Sequence, residues 1–288
     1  MHSTYAASGP NGPVRPYLVF VRAGAKSLHP KLIAEDPARS WDCAVNSWGP
    51  GASAAPATEF HCAGGGNKFD GFLELWRTEP AARGYRYYLL LDDDVYFEPG
   101  DVSRFLELCD RHGTALSQPA LKWTTYYNLN VTVMNPACEL RRVSFVEVMA
   151  ACFSAATLGK LMPTFSFSRS TWGMDWAWAC LMKDSGALHV ADAVAVHHTK
   201  PVDVESGALY RMLRSQGVDF NDELSEARRR YGEFGRMRTL FGGHVYRPGL
   251  PRPLGAVLTA LFESLKFFAR QRKKMARRWR KRAMALNS

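Results

Sequence analysis

The feature that most restricts how this chain can fold is a run at residues 85–91, apolar and aromatic apart from Arg86, that ends in Asp92-Asp93-Asp94. A run of that length without apolar–polar alternation suits a central strand covered on both faces, as in a parallel α/β sheet. In such sheets ligands bind beyond the carboxyl ends of the strands. Three adjacent carboxylates at that point repel one another unless a cation or ordered donors neutralise them. If strand geometry continues through the acids, Asp92 and Asp94 share one side and Asp93 faces away. Hard carboxylate oxygens suit Mg²⁺ or Mn²⁺, which can bridge protein and diphosphate oxygens. The plain alternative is a solvated turn with an acidic helix start beside it. A P-loop nucleotide hydrolase is set aside. No GxxxxGK[ST] occurs, and Gly64-Gly65-Gly66-Asn67-Lys68 has the wrong spacing and lacks the hydroxyl.

The rest of the pattern extends the same fold class. Residues 17–22 read as a first strand and 41–48 as a second, followed by a Gly/Pro/Ala/Ser-rich loop at 49–57. Helical spacing occurs at Phe69, Phe72, Leu73 and Trp76. A further helix is expected from Asp101 to just before Gly113. Another helix opens within 172–182, and 187–196 holds one or two strands. Residues 122–142 read as polar and irregular, and no internal repeat is found. Short β-rich runs alternating with helical patterns predict an α/β architecture: a Rossmann-like, mostly parallel sheet flanked by helices. The expected organisation is a flexible N-terminus at 1–16, a catalytic domain at 17–215, a helical and loop extension at 216–251, and a basic tail at 252–288.

Charge separates that tail from the body. The chain carries 37 Lys+Arg against 27 Asp+Glu, a net charge of +10. Eleven of the basic residues and a single acid, Glu263, lie in 252–288, so this segment holds the whole excess and residues 1–251 balance to zero. A hydrophobic content of 47% excludes wholesale disorder, and the concentrated charge argues against a body that binds nucleic acid. In the tail, Val257, Leu258, Leu261, Phe262, Leu265, Phe268, Met275, Ala276 and Trp279 fall on one helical face. Arg270, Lys273, Lys274, Arg277, Arg278 and Lys281 fall mostly opposite, with Arg272 inside the apolar face. This amphipathic basic helix suits an anionic membrane surface. Docking on the body and a nucleic-acid-binding arm are the alternatives.

No stretch reaches the ~20 apolar residues that span a bilayer; the nearest, 254–269, is interrupted by Glu263 and Lys266. The N-terminus lacks a signal-peptide pattern. Cysteines 43, 62, 109, 138, 152 and 180 are scattered and read as reduced thiols rather than a disulfide framework. The expectation is a cytoplasmic protein, peripheral at the cytoplasmic face of a membrane. The glycosylation sequon at Asn130-Val131-Thr132 is read as chance.

Two later segments could join the acidic strand end. Thr171-Trp172-Gly173-Met174-Asp175 puts a carboxylate at a helix start among Trp172, Trp176 and Trp178. Aromatics beside an acid suit a sugar ring whose hydroxyl proton the acid accepts. The same residues would also serve as a dipole-complementing Asp with core tryptophans. Residues 192–201 form an apolar strand delivering His197 and His198 into a loop, where one could contact metal or phosphate or both could be structural.

Taken together, these segments resemble glycosyltransferases of the GT-A fold. More narrowly, the chain resembles an uncharacterised GT-A-like family labelled lysine-ketoglutarate-reductase trans-splicing-related proteins. The matching pieces are VRAGAKSLHP (21–30), GGGNKFDGF (64–72), LDDDV (91–95), SQPAL (117–121), FVEVMAACFS (145–154), WGMD (172–175) and HTKPV (198–202), in order over roughly two thirds of the chain. The resemblance implies a GT-A-like fold, a nucleotide-diphosphate sugar donor, and Mn²⁺ or Mg²⁺ at a DxD site. It implies Asp94 as the main metal ligand, Asp92 on metal or ribose, and Asp93 beside them. His198 would be the late ligand, with His197 the fallback. Asp175 matches the general base of inverting members. Arg22 and Lys68 become nucleotide contacts, for each of which an internal salt bridge is the alternative. Gln118, Glu147 and Trp172 line the acceptor side. One departure is Ala150-Ala151, where that family carries a proline-containing segment, which implies a different acceptor pocket. The implied function is transfer of a sugar to a glycan or lipid-linked acceptor, used in polysaccharide biosynthesis. The competing class is a noncatalytic protein that binds a sugar nucleotide or glycan.

Overall fold

The computed structural model describes residues 15–64, 66–201 and 208–286, with 208–209 and 270–286 as backbone only. The N-terminal segment expected at 1–16 lies almost wholly outside these residues. The first half of the chain forms β1 (Tyr17–Ala23), α1 (His29–Ala34), β2 (Trp41–Ser47), β3 (Phe60–Ala63), α2 (Lys68–Thr78), β4 (Tyr87–Asp92), β5 (Val95–Tyr96) and α3 (Asp101–Arg111). The second half forms β6 (Leu116–Leu121), β7 (Cys138–Arg142), β8 (Ala150–Ser154), α4 (Ala155–Leu161), α5 (Met174–Met182), β9 (Leu188–His198), α6 (Ala208–Ser215), α7 (Phe220–Tyr231), β10 (Val245–Tyr246) and α8 (Arg252–Leu286).

The strands join in the order β10-β7-β9-β6-β8-β4-β1-β2-β3, with β5 added on β9. β1, β2, β3, β4, β6 and β9 all run the same way, and β8 is antiparallel to both of its neighbours. This is the expected α/β class with a mostly parallel sheet and a C-terminal helix. β1 pairs with β2 on one side and β4 on the other, so the chain reverses its order of strand addition there. Crevices form at such a switch point, outside the carboxyl ends. The register aligns Arg22 with both Asn46 and Asp92 at that end.

Period-two alternation explains why the central run is apolar and aromatic throughout from Tyr87. Leu18, Phe20, Tyr88 and Leu90 face one core with Phe69, Phe72, Phe153 and Trp178. Tyr17, Val19, Val21, Tyr87, Leu89 and Leu91 face a second core with Val102 and Phe105. Helix starts follow local chemistry. The Asn67 side chain accepts from the Phe69 and Asp70 N–H groups, and Asp70 caps back, which starts α2. Gly100 and Gly173 precede α3 and α5 in the left-handed region, at φ 76° and 86°.

The structure corrects three expectations. Residues 122–142, read as irregular, end in β7. The histidines are not delivered into a loop: both lie inside β9, paired with Tyr96 and Val95 of β5. Ala150 and Ala151 are fully buried in β8 opposite Leu91 and Leu90, so they do not line a pocket. All six cysteines are buried, and none forms a disulfide among the described residues. Asn130 of the sequon donates to the Lys266 carbonyl of α8 at 2.8 Å.

Candidate active site at the carboxyl ends of the parallel strands

The three aspartates have three different environments. β4 ends at Asp92, and the chain turns at Asp93 and Asp94. Asp93 anchors the preceding loop: its Oδ2 accepts from the Gly24 N–H at 2.8 Å and its carbonyl accepts from the Leu28 N–H at 2.9 Å, while its Oδ1 meets the Lys200 amine that Asp94 shares. It fastens the β1–α1 loop and is therefore a positioning residue rather than an open ligand contact. Asp94 stands 3.6 Å from His198 Nε2. Burial, then the charge of Asp92, raises the Asp94 carboxyl above its usual range, against the pull of His198 and Lys200. Asp92 is the most open of the three, with 41% of its side chain exposed.

Strand direction selects between the two histidines. His198 alternates toward Asp94, while its N–H donates to Thr125 Oγ1 at 2.7 Å and the Thr125 hydroxyl donates back to its carbonyl at 2.8 Å. His197 points the other way, toward Glu98. Lys200, two residues on, holds its amine 3.8 Å from both Asp93 Oδ1 and Asp94 Oδ2.

Arg22 is brought to the crevice by the last turns of β1. Its guanidinium donates to Asn46 Oδ1 of β2 and lies 5.5 Å over the ring of Trp48, which is nearly half exposed. Lys68 departs from the expectation of a nucleotide contact. Its buried amine donates to Asp92 Oδ1 at 2.6 Å, to the Val148 carbonyl at 2.7 Å and to the Leu90 carbonyl at 3.4 Å. All three ammonium protons are thus engaged within the protein. Lys68 ties α2, β4 and the turn leading into β8.

That tie brings the second group of acids alongside the first. The Asp92 N–H donates to the Met149 carbonyl at 2.8 Å. Asp175, in the first turn of α5, accepts from the Trp176 N–H at 2.9 Å and from the Val148 backbone. Burial pushes Asp175 up to about 7, and the charge of Glu147 adds to the rise. Burial also pushes Glu147 up to about 7, with Thr132 and Gln118 pulling it partly back. Glu147 Oε2 is buried with no hydrogen-bond partner among the described residues. Gln118, expected on the acceptor side, is fully buried and instead holds Glu147 in place, its Oε1 accepting the Glu147 N–H at 2.6 Å.

Trp172, expected on the acceptor side, belongs to a cluster the sequence did not announce. Its indole N–H donates to Tyr210 Oη at 3.0 Å, and its ring lies 4.7 Å from Phe220. Tyr210 of α6 is also within reach of Asp92's charge, which together with burial raises its phenol. Thr171, a β-branched residue at φ 70°, makes the turn into α5. Such strain costs about 1–3 kcal/mol and tends to collect at functional sites. Tyr210, Lys200, Thr125, Trp48 and Asn46 were not nominated from sequence. Trp48 and Asn46 carry a usable signal, since they end the second parallel strand; the others are gathered only by long-range packing.

A divalent ion is a fair fit. Asp94 and His198 present a carboxylate and an imidazole, donor types that Mn²⁺ accepts, and a cation would offset the burial and the Asp92 charge that raise Asp94. Among the described residues no group of three or more His, Cys, Asp or Glu is arranged to hold a metal, so its remaining positions would fall to ligand oxygens and water.

Among solved structures, the chain is similar to TarS of S. aureus. The structure of TarS residues 1–349 matches at 10% identity over 64% of this chain, with a TM-score of 0.42. Its complex with UDP matches at 11% identity over 73% of this chain and 70% of that one, with a TM-score of 0.39. Its complex with UDP-GlcNAc matches at 12% identity over 73% and 71%, with a TM-score of 0.41. This chain spans 60% of the first of these. No family model matches the chain, and no curated protein matches it, so the narrower family named from the motifs gains no support. Similarity this distant bears on neither chemistry nor ligand, which rest on the site itself.

Proposed function

We propose that the chain is a GT-A-type glycosyltransferase that moves a sugar from a nucleotide-diphosphate donor to an acceptor hydroxyl, with inversion. The observation that carries this reading is the Asp175–Glu147 carboxyl pair, tied through Val148 and Lys68 to an acidic strand end at the sheet's switch point. Two carboxyls pushed toward neutrality in one wall are what proton transfer at ordinary pH requires. In the proposed step Asp175 takes the acceptor's hydroxyl proton while that oxygen bonds to the anomeric carbon. The bond from that carbon to the diphosphate breaks, and its electron pair leaves with the diphosphate.

Arg22 and Lys200 are the cations nearest the position the diphosphate would take, and the nearly half-exposed ring of Trp48 would stack on a base. Mn²⁺ or Mg²⁺ would be held by Asp94 and His198, with Asp92 adjacent, and would supply positive charge to the leaving diphosphate. Glu147 and Trp172 flank the acceptor, a glycan or lipid-linked hydroxyl.

A noncatalytic binding role is the second reading, favoured by Lys68 on Asp92 and Lys200 beside Asp94, which already neutralise the acids. Thermal-shift titration of nucleoside diphosphates and their sugars, with and without Mn²⁺, followed by diphosphate release with acceptor, separates the two. Asp175→Asn should lower turnover by about 10²–10⁴-fold while donor binding stays unchanged. Unimpaired turnover in that variant removes Asp175 as base, and a shift without any release leaves the binding role.

A further inference from the structure

The C-terminal helix has its polarity reversed relative to an ordinary surface helix. The face of α8 that touches the body is polar and buried: Thr259 and Lys266 are inaccessible, and Gly255 lies so close to Tyr246 that a Cβ would meet its ring at 2.5 Å. Lys266 Nζ donates to the Val133 carbonyl at 2.7 Å and to Glu263 Oε1 at 2.6 Å. Glu263 in turn accepts from Asn135 Nδ2 at 3.1 Å and Arg141 Nη1 at 3.3 Å. These bonds fix the rotation of the helix. The opposite face presents Leu254, Val257, Leu261, Leu265 and Phe268, each about half exposed or more. Their spacing of three and four residues makes one continuous stripe, and in the sequence it continues to Met275 and Trp279.

We infer that this stripe, with the basic run that follows it, is a docking face for an anionic lipid bilayer surface. Charge selects the occupant. Residues 264–288 contain no acid, and nine Lys and Arg fall within 270–282. A protein partner or second copy would have to offer both a long apolar strip and a dense acidic patch, whereas an anionic bilayer presents both at every point. The body of this chain is neutral overall, so a second copy has no net negative charge to draw the basic run. Because the polar face is held against the sheet, the helix cannot be surrounded by lipid and would lie along the interface. The inference stands apart from the transferase reading, since it uses none of the crevice residues.

The test is flotation of the full chain with phosphatidylcholine vesicles and with vesicles containing about one third phosphatidylglycerol. The chain should float with the anionic vesicles only, and added salt should release it. Leu261→Glu with Leu265→Glu, both at exposed positions, should lower vesicle partition about tenfold or more with an unchanged melting temperature. Lys273→Glu with Lys274→Glu, Arg277→Glu and Arg278→Glu should do the same. Equal flotation of either variant and the wild type, or no flotation of the wild type, overturns the inference. So does a lipid-free dimer that the leucine variant converts to monomer, which would make the stripe an interface between copies.

Discussion

Asp175 and Glu147 are neighbouring carboxyls, each raised chiefly by burial, with the charge of Glu147 adding to the rise at Asp175. Their raised carboxyls have a consequence for stability as well as for catalysis. A carboxyl whose folded value lies above its unfolded one favours the folded state when protonated. That contribution is complete below the unfolded value near pH ~4 and is lost as pH rises through about 7. Asp175→Asn does not titrate, so its melting temperature relative to wild type should rise between about pH 5 and about pH 8, on the order of 2–4 °C. A flat difference across that range would show that Asp175 ionises freely in the folded chain. The acids themselves were legible, because residue type and adjacency are local properties. Two of their partners were not: Lys68 belongs to Asp92 and Gln118 stands behind Glu147, whereas His198, named from the family resemblance with His197 as fallback, does turn toward Asp94. Each pairing depends on which side chains converge from elements far apart in sequence.

The turn into α5 places Asp175, and it has little room. Gly173 adopts φ 86°, and a Cβ there would meet the Cβ of Ala227 of α7 at 2.7 Å. Gly173→Ala should therefore destabilise by about 1–3 kcal/mol, combining left-handed strain with a forced separation of α5 and α7. Chemical denaturation would measure it, and a midpoint within error of wild type would mean that α7 yields without resistance. Among the elements, β1, β2, β4, α2, α3 and α5 announced themselves through period and capping. β3 and β7 did not. Each spans only four or five residues, and a strand that short is decided by its ladder partners more than by its own composition.

The molecule is closed at its far edge by a buried ionic cluster. Arg141 of β7 is fully buried and donates to Asp192 of β9 at 2.8 and 3.1 Å, to the Val131 and Val133 carbonyls, and to Glu263 of α8. Burial pushes Lys266 down to about 8, and the neighbouring Arg141 adds to the fall. Arg141→Met would leave Asp192 as uncompensated buried charge, while Glu263 keeps Lys266, for a loss of about 3–5 kcal/mol. A denaturation midpoint showing less than ~1 kcal/mol of loss would mean that water reaches the cluster and screens it.

The strand ending in three acids, the alternation of strands and helices, and the segregation of all net charge into one terminal helix were readable from residue order alone. Each is a property of neighbours along the chain, where period and composition act directly. The direction in which that helix faces was not readable. Its apolar stripe suited a membrane surface, with docking on the body as an alternative, and an amphipathic helix read in isolation does not choose between them. Long-range bonds from Asn135 and Arg141 to Glu263, together with the seat of Lys266 on Val133, set its rotation. Polar groups already committed to a buried network cost more to expose than leucines do, so packing overruled the local pattern.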